Sequence, residues 1–450
     1  MAAGQGKRMH TRLPKVLHCV GGQTLISRVT ETARRLEPRT ICVVYGYGGK
    51  QVPEALAAPD VVFVKQAPQL GTGHALKQAL PKVARSDKTL VLYGDVPLIR
   101  AETLAPMVAG RGECIRILTT VVDAPFGYGR IVRNRAGKIR RIVEESDATP
   151  QERRIREINT GIMALPTRRL EKWLEKLKAR NAQGEYYLPD VLPAALADGV
   201  PVEALIAADA TEALGVNSRE QLAQIERIHQ RRWAQRLLDL GTSLADPARL
   251  DVRGELRCGR DVAIDINCVF EGDVVLGDEA RIGPGCVLRN VRVGPRTAVE
   301  PYSVIEDAVI GADCRIGPYS RIRPGARLGN SVHIGNFVEV KNTSIDEHSK
   351  ANHLAYLGDS SIGARVNIGA GTITCNYDGV NKHETTIEDD AFIGSNTALV
   401  APVTVRRGAT IGAGSTITKE APADQLTLAR GRQASIPGWK RPLKRAKRNE

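Results

Sequence analysis

Residues 281–340 read RIGPGCVLRN VRVGPRTAVE PYSVIEDAVI GADCRIGPYS RIRPGARLGN SVHIGNFVEV, and a large aliphatic side chain returns in them every six positions. Working outward, the series runs Ile264, Phe270, Leu276, Ile282, Leu288 and, after a one-residue slip, Val293, Val299 and Ile305. It continues through Ile310, Ile316, Ile322, Leu328, Ile334 and Val340, then Ile345, Ala351 and Leu357, then Ile362, Ile368 and Thr374. After an insertion it resumes at Ile387, Ile393, Leu399, Val405, Ile411 and Ile417. Only Ala351 and Thr374 of these 26 slots lack a large apolar side chain, which removes chance as an explanation. The following position is often Gly, and the fifth position of each hexad is small or β-branched, as at Cys268, Cys286, Thr297, Ser303 and Cys314. A bulky inward side chain, a tight turn and a small inward side chain at a six-residue period predict a parallel β-helix, three hexads per triangular coil. The hexapeptide form resembles the left-handed β-helix, against the usual right-handed crossover. Cys268, Cys286 and Cys314 are then core filler.

This reading explains the composition. Gly numbers 43 of 450 residues while Phe, Trp and Tyr together make 4%, as expected of an aliphatic core wound by tight turns. The length exceeds what one core fills, so several domains are expected. Hydrophobic content of 42% with 25% charge excludes wholesale disorder, and no apolar run approaches the ~18 residues of a membrane span. Eight cysteines without a CxxC pair exclude a zinc module or a disulfide scaffold. The absence of a secretory pattern makes a cytoplasmic location the expectation. A formal charge of +14, six basic residues of it within 440–450, favours anionic partners without choosing among nucleic acid, lipid and phosphorylated small molecules.

Residues 1–216 alternate differently. Apolar runs at 40–45, 61–64, 89–93 and 115–122 predict buried strands, and amphipathic segments at 24–36 and 168–178 predict helices, hence an α/β, Rossmann-like domain with ligand loops at its strand ends. Helical periodicity over 218–240 predicts a connecting helix within a linker at 217–249, followed by a β-helix domain with a basic tail at 250–450. Between Thr374 and Ile387 the step is 13 rather than 6, so a polar, turn-rich segment at about 375–381 should bulge over a cleft.

Three features point to chemistry. The opening Ala2-Ala3-Gly4-Gln5-Gly6-Lys7-Arg8-Met9, with Pro14-Lys15 beyond, is a Gly-rich loop beside cations, neither a Walker loop nor a dinucleotide fingerprint, which reads either as a triphosphate-binding loop or as a solvated basic turn. Asp95, in Tyr93-Gly94-Asp95, follows an apolar strand, a place where a carboxylate holds Mg²⁺ on phosphate oxygens or caps a turn. His353 occupies the third position of a hexad, where side chains point outward, whereas a lone His is more often structural. His10, His18, His229, His333, His348 and His383 are read as structural.

The opening motif, Gln66, Gly71-Thr72-Gly73-His74, Tyr93-Gly94-Asp95, Gly127-Tyr128-Gly129-Arg130, Glu144, Asn159-Thr160-Gly161 and Gly215-Val216-Asn217 resemble the sugar-nucleotide uridylyltransferases. Joined to hexapeptide repeats containing Asn352-His353-Leu354-Ala355-Tyr356 and Cys375-Asn376-Tyr377-Asp378-Gly379, the whole chain resembles the bacterial bifunctional N-acetylglucosamine-1-phosphate uridylyltransferase/glucosamine-1-phosphate N-acetyltransferase family. The resemblance implies Ala2, Ala3, Gly4, Lys15, Gln66, Gly71, Thr72, Tyr93 and Gly94 on the uridine nucleotide, Gly129, Glu144 and Asn159 on the sugar, and Asp95 with Asn217 on Mg²⁺. In the β-helix it implies Arg323, Lys341, Tyr356 and Asn367 on the sugar phosphate, and His353 as the base of acetyl transfer. Ala370, Asn376, Tyr377, Ser395, Ala413 and Arg430 are implied on acetyl-CoA. The implied substrates are glucosamine-1-phosphate, N-acetylglucosamine-1-phosphate, UTP and acetyl-CoA, the assembly a homotrimer, and the product a precursor of peptidoglycan and lipopolysaccharide. Neither nucleic-acid binding nor membrane insertion is implied.

Two departures stand out. Family members place an apolar strand ahead of the Ala-Ala-Gly motif, which here begins at Met1, so a somewhat longer natural chain and a weakened nucleotide domain are expected. Lys7 replaces the family's usual Thr. Competing readings are a single-activity nucleotidylyltransferase whose β-helix only oligomerises, and a polyanion-binding scaffold motivated by the charge.

Overall fold

The computed structural model describes residues 1–84, 86–110 and 112–443; the basic tail beyond Leu443 and the side chain of Lys7 lie outside the described residues. The chain divides into two compact units, Met1–Arg236 with Asp251–Gly254, and Leu237–Leu250 with Glu255–Glu450.

In the first unit the longer strands are β1 (Ile41–Tyr45), β2 (Val61–Lys65), β3 (Lys88–Val91), β4 (Ile115–Val121), β5 (Gly129–Arg133), β6 (Ile139–Val143), β7 (Glu157–Pro166) and β8 (Val202–Ile206). β1 and β2 pair in parallel as a separate ribbon. The larger sheet runs β8-β4-β7-β5-β6, with β3 also pairing antiparallel to β7. Helices α1 (Leu25–Arg34), α2 (Thr72–Val83), α3 (Ala101–Val108), α4 (Thr167–Glu175) and α5 (Arg219–Asp239) complete the layers named here. α1 begins where the Thr24 side chain accepts the Ser27 N–H at 3.2 Å, satisfying one of the donors a helix start leaves open. α4 buries Leu170, Trp173 and Leu174 on one face against a core that includes Ile115, Ile117, Met163 and Leu165. The apolar runs and amphipathic segments read from the sequence thus correspond to β1 to β4, α1, α4 and α5, with ends that differ by at most three residues.

The second unit is a parallel β-helix. Its strands form an eleven-stranded and a fifteen-stranded sheet among the described residues, each strand hydrogen-bonding the equivalent segment of the next coil in parallel. The hexad slots from Ile264 to Ile417 are all at most 5% exposed. Thr374 keeps an apolar slot because its hydroxyl accepts from the Gly358 N–H at 2.8 Å and donates to the Gly358 carbonyl at 3.0 Å, so nothing polar is left unpaired. Cys268, Cys286 and Cys314 are buried and free, and burial pushes the Cys268 thiol up to about 12 and the Cys286 thiol up to about 11, which keeps both inert. The glycines that follow the slots are explained by coil spacing: a Cβ on Gly335 would lie 2.0 Å from the Asn352 carbonyl oxygen.

Candidate active sites

In the first unit, residues far apart in sequence meet at the end of β3. The Val216 N–H donates to the Asp95 carbonyl at 2.8 Å, which brings Asn217 beside Asp95 through backbone pairing alone. Between them lies the Lys15 ammonium, donating to Asp95 Oδ2 and, at 3.0 Å, to Asn217 Oδ1. Lys15 is positioned by the Gly-rich loop, where Gly6 packs so closely that a Cβ would lie 2.8 Å from the Lys15 Cβ. Ala2 and Ala3 lie on the β1 ribbon through Ala2 N–H to Val44 C=O at 2.7 Å and Tyr47 N–H to Ala3 C=O at 3.1 Å, while Gly4 has open space around its Cα.

Two further groups flank this centre. Gln66 is buried, and its amide donates to the Gly71 carbonyl at 3.0 Å and lies 3.1 Å from His74 Nδ1. Gly71 starts α2 at φ 99°, where a Cβ would lie 2.7 Å from the Tyr186 carbonyl oxygen. The Thr72 hydroxyl accepts the Leu188 N–H at 3.0 Å and also bonds Tyr93, whose phenol burial pushes up. On the other flank Gly129 pairs with Asn159, and a Cβ on Gly129 would come within 3.0 Å of Glu144 Oε1. Burial, reinforced by Asp147 and Asp190, pushes the Glu144 carboxyl up. Tyr128 joins the flank to the centre: burial first, then the Asp95 charge, pushes its phenol up, and it hydrogen-bonds the Gly215 backbone.

The donors at this centre fit Mg²⁺. Asp95 and Asn217 present hard oxygens that already share a cation, the Lys15 ammonium. Among the described residues no cluster of three or more His, Cys, Asp or Glu side chains could hold a metal, so an ion here would take its other ligands from phosphate and water.

In the β-helix, strand register sorts the expected residues into two columns. Lys350 pairs with Asn367 and Ala351 with Ile368, Asn367 with Phe392 and Ile368 with Ile393, and Phe392 with Thr410. Extending that register places His353, Ala370, Ser395 and Ala413 at one corner of four successive coils. Arg430 reaches the same column, its Nη1 donating to the Ala413 carbonyl at 2.7 Å. His353 is exposed; its backbone pairs with Asn336, and its imidazole has no hydrogen bond among the described residues.

The second column carries charge. Ile322 pairs with Val340, which puts Arg323 level with Lys341, and Lys341 pairs with Gly358. Arg323 is held by Glu339 at 2.7 Å. Tyr356 follows His353 around the corner at Leu354, whose φ is 44°. The Asn376 amide donates to Asp359 and reaches the Tyr356 hydroxyl at 3.5 Å. The insertion folds back as a hairpin through a Tyr377 to Lys382 bridge, clasped by His383 Nε2 and Asp378 Oδ2 at 2.7 Å. Tyr377 itself is 62% exposed.

Lys382 and Asp359 escaped the sequence reading. Contact with Lys341 pushes the Lys382 amine down, so two ammonium groups face one place, the arrangement an anion would relieve. The only sequence signal was a lysine just past the insertion. Tyr128 was quoted within a motif without a role, because nothing local links it to Asp95. His383, read as structural, does hold structure, in the loop that borders the site.

Residues 1–182 match the MobA-like NTP transferase domain, 252–350 the GMPPB C-terminal domain, and 384–419 the hexapeptide repeat of succinyl-transferase. The bifunctional protein GlmU of Azoarcus sp. (strain BH72) is 59% identical over 445 residues, 99% of this chain and 98% of that one. Those of Cupriavidus taiwanensis and Cupriavidus necator are each 60% identical, over 448 and 449 residues, covering 99% and 100% of this chain and 99% of each relative. With both halves matched in order along the full length, the chain belongs to the bifunctional GlmU family, a nucleotidyltransferase unit joined to a hexapeptide-repeat acetyltransferase unit.

Proposed function

We propose that the chain makes UDP-N-acetylglucosamine in two steps at two separate sites. In the β-helix an acetyl group passes from acetyl-CoA to glucosamine-1-phosphate; in the first unit a uridylyl group passes from UTP to N-acetylglucosamine-1-phosphate, releasing pyrophosphate. Similarity to GlmU relatives across both units is the observation that carries this reading.

For acetyl transfer, the sugar amine attacks the thioester carbonyl and the CoA thiolate departs. His353 takes the proton the amine must shed, since its imidazole is exposed at the corner column and unengaged. Arg323 and Lys341 hold the sugar phosphate, aided by Tyr356 and Asn367. Ala370, Ser395 and Ala413 line the column along which the extended arm of acetyl-CoA lies, with Arg430 at its far end and Asn376 and Tyr377 on the bordering loop.

For uridylyl transfer, an oxygen of the sugar phosphate attacks the α-phosphorus of UTP and pyrophosphate leaves. Lys15 and the Gly-rich loop hold the phosphates; Gln66, Gly71 and Thr72 hold the uridine, with Ala2, Ala3, Gly4, Tyr93 and Gly94 forming the wall. Gly129, Glu144 and Asn159 orient the sugar. Asp95 and Asn217 would hold Mg²⁺, which would neutralise phosphate charge when bound. The protein needs no nucleophile of its own, because positioning and charge neutralisation supply the catalysis.

We also infer a homotrimer, in which the hairpin carrying Asn376 and Tyr377 borders a neighbouring subunit's acetyl-transfer site. No helix among the described residues is long and apolar enough to cross a membrane, and the water-soluble substrates favour a cytoplasmic location.

The test follows each half-reaction separately with all substrates and Mg²⁺ present, reading CoA thiol release and pyrophosphate release. His353→Ala is expected to abolish thiol release and leave pyrophosphate release from UTP and N-acetylglucosamine-1-phosphate intact; equal loss of both contradicts the assignment.

A further inference from the structure

His74, on the first turn of α2, is half-buried against the side chain of Gln66, and the two form one hydrogen-bonded chain. Gln66 is 2% exposed and anchored by its backbone, whose N–H donates to the Tyr45 carbonyl at 2.8 Å. Its side-chain nitrogen has two hydrogens and two neighbours to receive them, the Gly71 carbonyl at 3.0 Å and His74 Nδ1 at 3.1 Å. A carbonyl only accepts, so the atom facing Gly71 is the amide nitrogen, and an amide nitrogen only donates. His74 Nδ1 is therefore the bare ring nitrogen, and the ring proton sits on Nε2. Nε2 lies 3.2 Å from the side-chain amide of Gln78, which is exposed and free to turn its oxygen toward that proton.

This chain spends both Gln66 amide hydrogens inside the protein. What remains to meet a ligand is Oε1, to which no described residue donates. Close to it the Gly71 N–H has no acceptor among the described residues. Uracil carries a ring N3–H donor next to a carbonyl acceptor; cytosine carries the reverse, an N3 lone pair next to an amine. An edge that offers an acceptor and a donor matches the first and opposes the second, and the mismatch is costly because buried polar groups stay unpaired. Turning the Gln66 amide over would offer cytosine a donor, but it would aim Oε1 at two acceptors, the Gly71 carbonyl and His74 Nδ1. Without Nδ1 only one acceptor opposes the turn, and one amide hydrogen is released for a base.

We propose that His74 is a positioning residue for base selection. Through Nδ1 it holds the Gln66 amide with its oxygen toward the nucleotide, which favours a pyrimidine with an N3–H, as in UTP, over one with an N3 lone pair, as in CTP. The inference rests on the uridylyl-transfer reading of this unit, in which Gln66 meets the base.

The test measures pyrophosphate release with N-acetylglucosamine-1-phosphate and Mg²⁺, comparing UTP with CTP for the parent, His74→Phe, His74→Leu and His74→Asn. Phe and Leu remove the acceptor with more and less bulk, and the Asn side-chain oxygen restores an acceptor near the place of Nδ1. Thermal unfolding of each protein identifies the variants that fold. In those that lack the acceptor, the ratio of kcat/KM for UTP to that for CTP is expected to fall at least about tenfold, the worth of one misdirected hydrogen bond, mainly through a raised KM for UTP. His74→Asn is expected to keep the ratio within about threefold of the parent, which a purely structural role of the ring would not produce. The proposal is overturned if the ratio holds in the folded Phe or Leu variant, if UTP and CTP turnover fall together, or if Asn loses the ratio as Phe and Leu do. A parent that releases no pyrophosphate from UTP overturns the uridylyl reading and this inference with it, an outcome separate from a ratio that the variants leave unchanged.

Discussion

Gly71→Ala is the sharpest probe of how backbone geometry serves the nucleotide site. Gly71 has φ 99° and ψ 176°, a region essentially restricted to Gly, so a side chain there costs about 1–3 kcal/mol. The added Cβ would also lie 2.7 Å from the Tyr186 carbonyl oxygen and 2.9 Å from the Tyr186 nitrogen, both backbone atoms that cannot swing aside. The two effects together are worth about 2–4 kcal/mol. The turn relieves them by moving, and Gln66, which donates to the Gly71 carbonyl, and Thr72, which accepts the Leu188 N–H, move with it. If the displacement is felt in UTP binding, kcat/KM for uridylyl transfer falls at least about thirtyfold, since each 1.4 kcal/mol is tenfold. Acetyl transfer, carried in the other unit, stays unchanged. Steady-state kinetics of each half-reaction on one preparation decides it. A variant whose uridylyl transfer stays within about twofold of the parent would refute the reasoning, and so would parallel loss of both activities.

Chelation of divalent cations is expected to stop pyrophosphate release and spare CoA thiol release, because the hard oxygens of Asp95 and Asn217 that share one cation lie in the first unit; loss of both would place a metal in the β-helix. Thr374→Val leaves the buried Gly358 N–H unpaired and is expected to destabilise the β-helix by about 1–3 kcal/mol, measured by denaturant unfolding. His229 is buried beside Arg28, and burial followed by the charges of Arg28, Arg232 and Arg236 pushes its imidazole down to about 3. The unfolded chain, with His near 6.5, then binds the proton first, so stability is full above about pH 6.5 and falls as pH drops toward 3, by at most about 1.4 kcal/mol per pH unit. Unfolding temperatures at pH 7.5 and 5.5 test this, with His229→Gln expected to flatten the dependence; an unchanged slope assigns it elsewhere.

The β-helix was legible in the chain because its rule is local. Every coil repeats one steric demand, a large apolar side chain inward at each hexad, so the slots from Ile264 to Ile417 announce themselves by period and all prove buried. The α/β character of the first unit was legible for the same reason, as apolar runs of strand length between amphipathic segments. The site residues were legible only as separate motifs. What joins them depends on where the chain returns: Asn217 reaches Asp95 through the Val216 N–H, Tyr128 approaches Asp95 from the turn ahead of β5, and Lys382 meets Lys341 across coils. The same holds for His353, Ala370, Ser395 and Ala413, whose sequence steps of 17, 25 and 18 hide a straight column until the insertion is seen to loop out of the coil. Period and composition are properties of neighbours in sequence and fix the architecture. Charge pairing and pKa are properties of neighbours in space, and only the tertiary structure decides them.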